Sequence, residues 1–183
     1  MNTKITLAVA SAGVFKTDTV KTLVGTVQTS EHPIEFLVAQ SSMVHHARKR
    51  LVEAAQKNGS SHIFFVDSDM AFEDDVLPKL LAHDKDIVGA NYHFRYFPIR
   101  TNMKLDGQVK SGLNECDAIG TGCLLIKMSV FDVIDKPWFW YEDLNEKECM
   151  TEDYWFCRQA KRKGFKIWYD GDLSVKHLGD YGY

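Results

Sequence analysis

Apolar positions in the first half of the chain come in short runs, separated by stretches with helical spacing. "KITLAVA" (Lys4 to Ala10), "EFLVA" (Glu35 to Ala39), "HIFFV" (His62 to Val66) and "DIVGANY" (Asp86 to Tyr92) read as strands. "HIFFV" shows no polar alternation, which predicts cover on both of its faces. Val20, Leu23, Val24 and Val27 recur at i, i+3, i+4 and i+7, one face of a helix, with Thr17 or Asp18 as its cap. A longer helix is predicted from Met43 to Lys57, carrying Val44, Ala47, Leu51, Ala54 and Ala55 and stopping near Asn58-Gly59. A third, near Asp74 to His83, tolerates Pro78 only in its first turn. Strand–helix units in series predict an α/β fold with a mostly parallel sheet and right-handed crossovers.

The rhythm breaks after Tyr92. Phe94 to Cys116 is polar and turn-rich, and predicts short strands or loop. "AIGTGCLLIK" (Ala118 to Lys127) sets glycines ahead of an apolar strand, and "MSVFDVI" follows as a short helix. Asp135 to Met150 is an aromatic and then acidic loop. A helix from Thr151 to about Lys163 stops at Gly164, and "FKIWYD" and "LSVKH" are the last strands. A length of 183 residues fits a single domain, 1–183, with a nucleotide-binding half at 1–92 and an acceptor and catalytic half at 93–183.

Composition changes this picture little. Hydrophobic residues at 45%, charged residues at 26% and a formal net charge of -3 are ordinary for a globular chain and give no sign of a nucleic-acid partner. The one basic cluster, "HHARKR", is local. No apolar run approaches the roughly 20 residues of a transmembrane helix, and the first residues lack a signal-peptide layout. Cys116, Cys123, Cys149 and Cys157 form no C-x-x-C pair or zinc spacing, which suits free thiols in a cytoplasmic location.

The candidate chemistry begins where "HIFFV" ends. Asp67 and Asp69 close that strand with only Ser68 between them. In an α/β sheet the C-terminal ends of the strands line the ligand crevice. Two readings fit: Asp69 caps the next helix while Asp67 braces the loop, or both carboxylates hold a hard divalent cation such as Mg2+ or Mn2+. The apolar strand ahead of them favours the cation. Neither G-x-x-x-x-G-K-[ST] nor G-x-G-x-x-G is present, so a phosphorylated ligand would be held by metal and basic side chains. Arg48 is placed either to reach a diphosphate or to sit on the surface.

The order of these features resembles that of small GT-A glycosyltransferases, notably the inverting family 2 type, over nearly the whole chain. The segments that carry it are "HARKRLVEAAQKNGSSHIFFVDSDM", "DKDIVGANYHFR", "AIGTGCLLIKMSVF" and "TEDYWFCRQAKRKGFKIWYDGDLSVKHLG". The resemblance implies a GT-A fold with a smaller acceptor-side antiparallel element. It implies a metal-dependent transfer of sugar from a UDP- or GDP-sugar to a hydroxyl acceptor, which is a glycan, a lipid-linked or a small molecule. Asp69 would be the main ligand of Mn2+ or Mg2+ and His177 a third, while Asp67, counted with them at the metal, would bind the ribose or the metal-held diphosphate of the donor. Asp153 would be the base, with Glu152 orienting a substrate, although Thr151-Glu152-Asp153 also suits a plain helix cap.

Gly120, Thr121 and Gly122 would let backbone approach the sugar, unless they are a simple turn. Trp138, Trp140 and Tyr141 would contact the acceptor, a core role for two of the aromatics in "WFWY" being the other reading. Ala10, Ser11, Gln40 and Ser68 complete the donor site by position. Two other classes fit parts of the pattern: a sugar-nucleotide nucleotidyltransferase, for which "SAGVFKTD" is a poor phosphate loop, and a non-catalytic nucleotide- or glycan-binding module.

Overall fold

The computed structural model describes residues 3–93, 100–146 and 148–179. The first elements are β1 (Ile5–Ser11), α1 (Thr17–Thr29), β2 (Ile34–Gln40), α2 (Val44–Lys57) and β3 (His62–Asp67). Next come β4 (Met70–Phe72), α3 (Val76–Ala82), β5 (Ile87–Ala90), β6 (Met103–Lys104), β7 (Leu113–Cys116) and β8 (Ala118–Ile119). The chain continues through β9 (Cys123–Lys127), α4 (Ser129–Val133), β10 (Glu142–Asn145) and β11 (Glu148–Met150). It closes with α5 (Glu152–Arg162), β12 (Ile167–Asp170) and β13 (Val175–His177).

Seven strands form one sheet in the order β2-β1-β3-β9-β5-β12-β7. β1 pairs in parallel with β2 and β3, and β12 in parallel with β5. β9 runs antiparallel to both β3 and β5, and β7 antiparallel to β12, so five of the seven strands point one way. The apolar runs explain the centre. All seven residues of β1 and Ile63 to Val66 of β3 are buried, as strands covered on both faces require. On one face α2, α4 and α5 bring Leu51, Phe131 and Phe156 against the sheet; on the other, α1 and α3 bring Leu23, Leu77 and Leu80. Burying a side chain such as Phe64 or Phe65 stabilises the fold by about 2–3 kcal/mol.

The run Ala118 to Lys127 holds its apolar strand after the glycines, as expected, with a short strand ahead of them. β8 pairs with β6 in a separate ribbon, the chain turns through Gly120 to Gly122, and β9 then enters the main sheet between β3 and β5. The sheet is therefore not a simple series of crossovers. The face that α1 turns inward is not its apolar one. Leu23 is buried, but Val20, Val24 and Val27 are 46, 47 and 42% exposed, while Thr19, Thr22 and Thr26 are buried.

Hydrogen bonds set this rotation. The Thr22 hydroxyl donates to the Phe72 carbonyl (3.3 Å) and lies 3.2 Å from the Phe72 N–H, and Thr26 donates to the Thr22 carbonyl at 2.8 Å. Gly25 faces Asp74 so closely that a Cβ there would overlap the carboxylate. The outward valines, with Phe36 and Val38 of the edge strand β2, line an apolar groove.

Smaller departures are local. α3 starts at Val76, which puts Pro78 in its first turn as required. The acidic half of the loop before Thr151 is the β10–β11 hairpin. Residues 94–99 of the expected polar loop lie outside the described residues.

Candidate active site

Strand ends assemble the site. Register sets Ala10 of β1 beside Asp67 of β3, and Ser11 beside Gln40 of β2, so these positions share one edge of the sheet. Ser11 serves its own loop there: its hydroxyl accepts from the Gly13 N–H (3.0 Å) and donates to the Val14 carbonyl (3.3 Å). Gly13 has φ 112°, and a Cβ on it would lie 2.7 Å from the Gln40 amide nitrogen, so Gln40 packs over this turn. The Ser68 carbonyl accepts from the Lys16 N–H at 3.1 Å, which ties the β3–β4 turn to the loop ahead of α1.

Arg48 is 4% exposed, which excludes a surface role. Its Nη2 donates to Asp67 Oδ1 at 3.0 Å, and Nη1 pairs with the carboxylate of Glu152, itself 6% exposed. One guanidinium thus bridges the end of β3 and the start of α5, and sets a positive charge beside Asp67. Its Nε has no partner. One turn earlier on α2, His45 is buried, with its Nδ1 unpartnered and its pKa lowered, first by burial and then by His46.

Asp69 lies in the turn after β3, and β13 pairs antiparallel with β4, which sets His177 opposite Met70. His177 Nε2 is 3.5 Å from Asp69 Oδ1. Its Nδ1 is 3.3 Å from the His93 carbonyl, which only accepts, so Nδ1 carries the proton. Nε2 is then the ring nitrogen that faces the Asp69 carboxylate. One imidazole nitrogen and one carboxylate suit Mn2+ or Mg2+, with water and phosphate oxygens filling the other positions. Among the described residues no three His, Cys, Asp or Glu side chains gather to hold a metal. Arg48 engages Asp67 through Oδ1.

Asp153 is in the first turn of α5. Its Oδ1 accepts from the Thr151 hydroxyl and from the Tyr154 N–H at 2.8 Å. Its Oδ2 is turned the other way, 3.4 Å from where a Cβ of Gly120 would stand. Asp67 Oδ2 lies 3.2 Å from the corresponding point on Gly122. What fills the space beside these glycines is the hydroxyl of Tyr92: a Cβ on either would meet it at 2.6 Å. Thr121, between them, is 1% exposed with its hydroxyl unpartnered.

The aromatic run divides. Trp138 and Phe139 are core, at 3 and 2% exposed, with Trp138 edge-on to Phe131 and Phe139 stacked on Phe156. Trp138 is therefore withdrawn from any acceptor. Trp140 and Tyr141 are 47 and 40% exposed, and both meet the His45 ring edge-on.

Sequence reasoning missed Tyr92, Asn102 and His45. Tyr92 follows the apolar run of β5 just as Asp67 follows that of β3, and His45 precedes Arg48 by three positions on α2; both signals were available. Asn102 had none. It is fully buried, its side chain accepts from the Tyr92 N–H (3.0 Å) and donates to the Ala90 carbonyl (3.3 Å), and its carbonyl accepts from the Gly120 N–H (2.9 Å).

No family model matches the chain, and no curated protein does. Solved structures do. A197 from STIV superposes with a TM-score of 0.69 at 16% identity, over 98% of this chain and 87% of that one. Drosophila β1,4-galactosyltransferase 7, a mutant in complex with manganese, UDP-Gal and xylobiose, gives 0.61 at 14% identity, over 97 and 71%. The inositol-1-phosphate CTP transferase from T. maritima gives 0.52 at 13% identity, over 97 and 89%. These likenesses show the fold: the chain has the GT-A, Rossmann-like architecture found in both glycosyltransferases and nucleotidyltransferases. No helix among the described residues is long and apolar enough to cross a membrane.

Proposed function

We propose that the chain is a metal-dependent glycosyltransferase that moves a sugar from a nucleotide diphosphate sugar to a hydroxyl acceptor, with inversion. One observation carries the reading. Three charged groups converge at one edge of a GT-A sheet: the Asp69–His177 pair, the Arg48 bridge between Asp67 and Glu152, and Asp153 with Oδ2 turned toward Gly120.

Asp69 and His177 would hold Mn2+ or Mg2+, which would supply Lewis-acid stabilisation of charge on the departing diphosphate. Asp153 takes the proton of the acceptor hydroxyl while that oxygen bonds to the anomeric carbon. The bond from that carbon to the diphosphate oxygen breaks with its electron pair. The Tyr154 N–H, donating to Oδ1, and the Thr151 hydroxyl fix the direction of the carboxylate for this role. Glu152, fixed by Arg48, gives α5 a set position relative to β3. Trp140 and Tyr141 offer exposed rings to an acceptor. The four free cysteines support a reducing compartment, the cytoplasm.

The test is release of nucleoside diphosphate from UDP- or GDP-sugars with Mn2+, with and without hydroxyl acceptors. Asp153→Asn is expected to lower turnover by about 10²–10⁴-fold. Full metal-dependent turnover by Asp69→Ala would sink the metal assignment, and a product of retained anomeric configuration would sink inversion. Pyrophosphate release from a nucleoside triphosphate and a sugar phosphate would favour the nucleotidyltransferase reading, which the shared fold also admits.

A further inference from the structure

We propose that Tyr92 determines specificity for the sugar: its hydroxyl, seated between Gly120 and Gly122, donates a hydrogen bond to a sugar hydroxyl that in turn donates to the carboxylate of Asp67 or Asp153. The inference rests on the transferase reading and adds to it a recognition residue with a defined ligand group.

The argument starts from the hydroxyl's own bonds. Tyr92 is 4% exposed, and its oxygen accepts from the Gly122 N–H at 3.0 Å. No acceptor among the described residues takes its proton, so among them a buried O–H donor stands without a partner, a costly arrangement unless a ligand completes it. The two carboxylates beside it are half-engaged in the same sense. Asp67 commits Oδ1 to Arg48, and Asp153 commits Oδ1 to Thr151 and Tyr154. Their Oδ2 atoms lie on the Tyr92 side, 3.2 and 3.4 Å from the Cβ points of Gly122 and Gly120, where the Tyr92 oxygen is 2.6 Å away.

A donor beside a carboxylate oxygen is the complement of a hydroxyl group, which accepts one hydrogen bond and donates one. A methylene in its place would leave the Tyr92 O–H and that carboxylate unpaired, and this is how buried polar sites reject deoxy analogues. The donor does not drift. Asn102 holds the Tyr92 N–H and the Ala90 carbonyl through its side chain, and its backbone pairs with the Tyr92 carbonyl and the Gly120 N–H. The ring also stands edge-on to His177 at 5.5 Å, which ties the recognition point to the proposed metal pair.

Titration calorimetry with Mn2+ tests this, using the UDP- or GDP-sugar that binds best, its nucleoside diphosphate and its monodeoxy series. In the wild type one monodeoxy analogue is expected to bind at least about tenfold more weakly than the parent. Tyr92→Phe should lose about the same factor for the parent sugar, bind the nucleoside diphosphate unchanged, and no longer distinguish that analogue. Equal binding of the whole monodeoxy series by the wild type overturns the inference even if the variant does not fold. A variant weakened equally toward the nucleoside diphosphate also overturns it, since that is the mark of a merely structural prop. Absence of any nucleotide-sugar binding by the wild type would instead remove the transferase reading itself.

Discussion

Arg48 stands between Asp67 and Glu152 with almost no water to screen it, so its removal exposes each carboxylate to the other. Arg48→Met is expected to cost about 3–5 kcal/mol of folding stability, the penalty for stranding buried charge rather than the net worth of the pairs. Guanidinium denaturation measures it, and Glu152→Gln on that background should recover part of the loss. Stability unchanged by Arg48→Met would mean that water reaches the pair. The identities of these residues were legible, because acidic residues at a strand end and a helix start stand out in a chain of ordinary composition. Their pairing was not, since nothing in the spacing of positions 48, 67 and 152 says which carboxylate a guanidinium reaches. The aromatic run shows the same limit: Trp138 and Trp140 are chemically identical, and only the path of the chain out of the core after Phe139 separates them.

Helical periodicity in α1 correctly grouped Val20, Val24 and Val27, and it could not say which way the group faces. That was decided by the Phe72 backbone, which meets the Thr22 hydroxyl, and by Asp74 against Gly25. The two faces should respond oppositely to intuition. Thr22→Val keeps the shape but leaves the Phe72 N–H and carbonyl without their partner, a loss of about 1–3 kcal/mol. Val24→Gln, on the half-exposed stripe, should stay within about 0.5 kcal/mol of the parent. Urea midpoints for the two variants decide it, and a larger loss from Val24→Gln would mean that the groove is occupied in solution. Where both faces of a strand are covered, as in β1 and β3, no such ambiguity arises, which is why those strands were read so readily.

Across the whole molecule, burial sets an acid limit to stability. The pKa values of His45 and His62 are lowered below 6.5 in the fold, chiefly by desolvation. The unfolded chain therefore binds more protons than the fold just below that value. Stability from these groups is fully present above 6.5 and is lost as pH falls through it toward the folded values. Melting temperature is expected to drop between about pH 7 and about pH 5, with a shallower slope in His45→Phe and His62→Phe. An unchanged slope in both variants would refute this assignment. Glu35, Asp84 and Asp117, held below their ordinary values of 4.5, 3.8 and 3.8 mainly by Lys4, Lys127 and Lys161, add their losses only in more acid solution. At this scale the β–α alternation of the first half was legible from its apolar runs, whereas the sheet order was not, since "CLLIK" says only that β9 is buried and not between which strands. The position of β9 has a consequence in time as well as in space. β5 has only β9 and β12 as lateral neighbours, both made after it, while β3 keeps one side open until Cys123–Lys127 appears. A chain emerging from the ribosome can zip β1, β2 and β3 early, but it holds β5 without a ladder until much of the second half exists. Folding must therefore close pairings far apart in sequence, the slow step for a topology of high contact order.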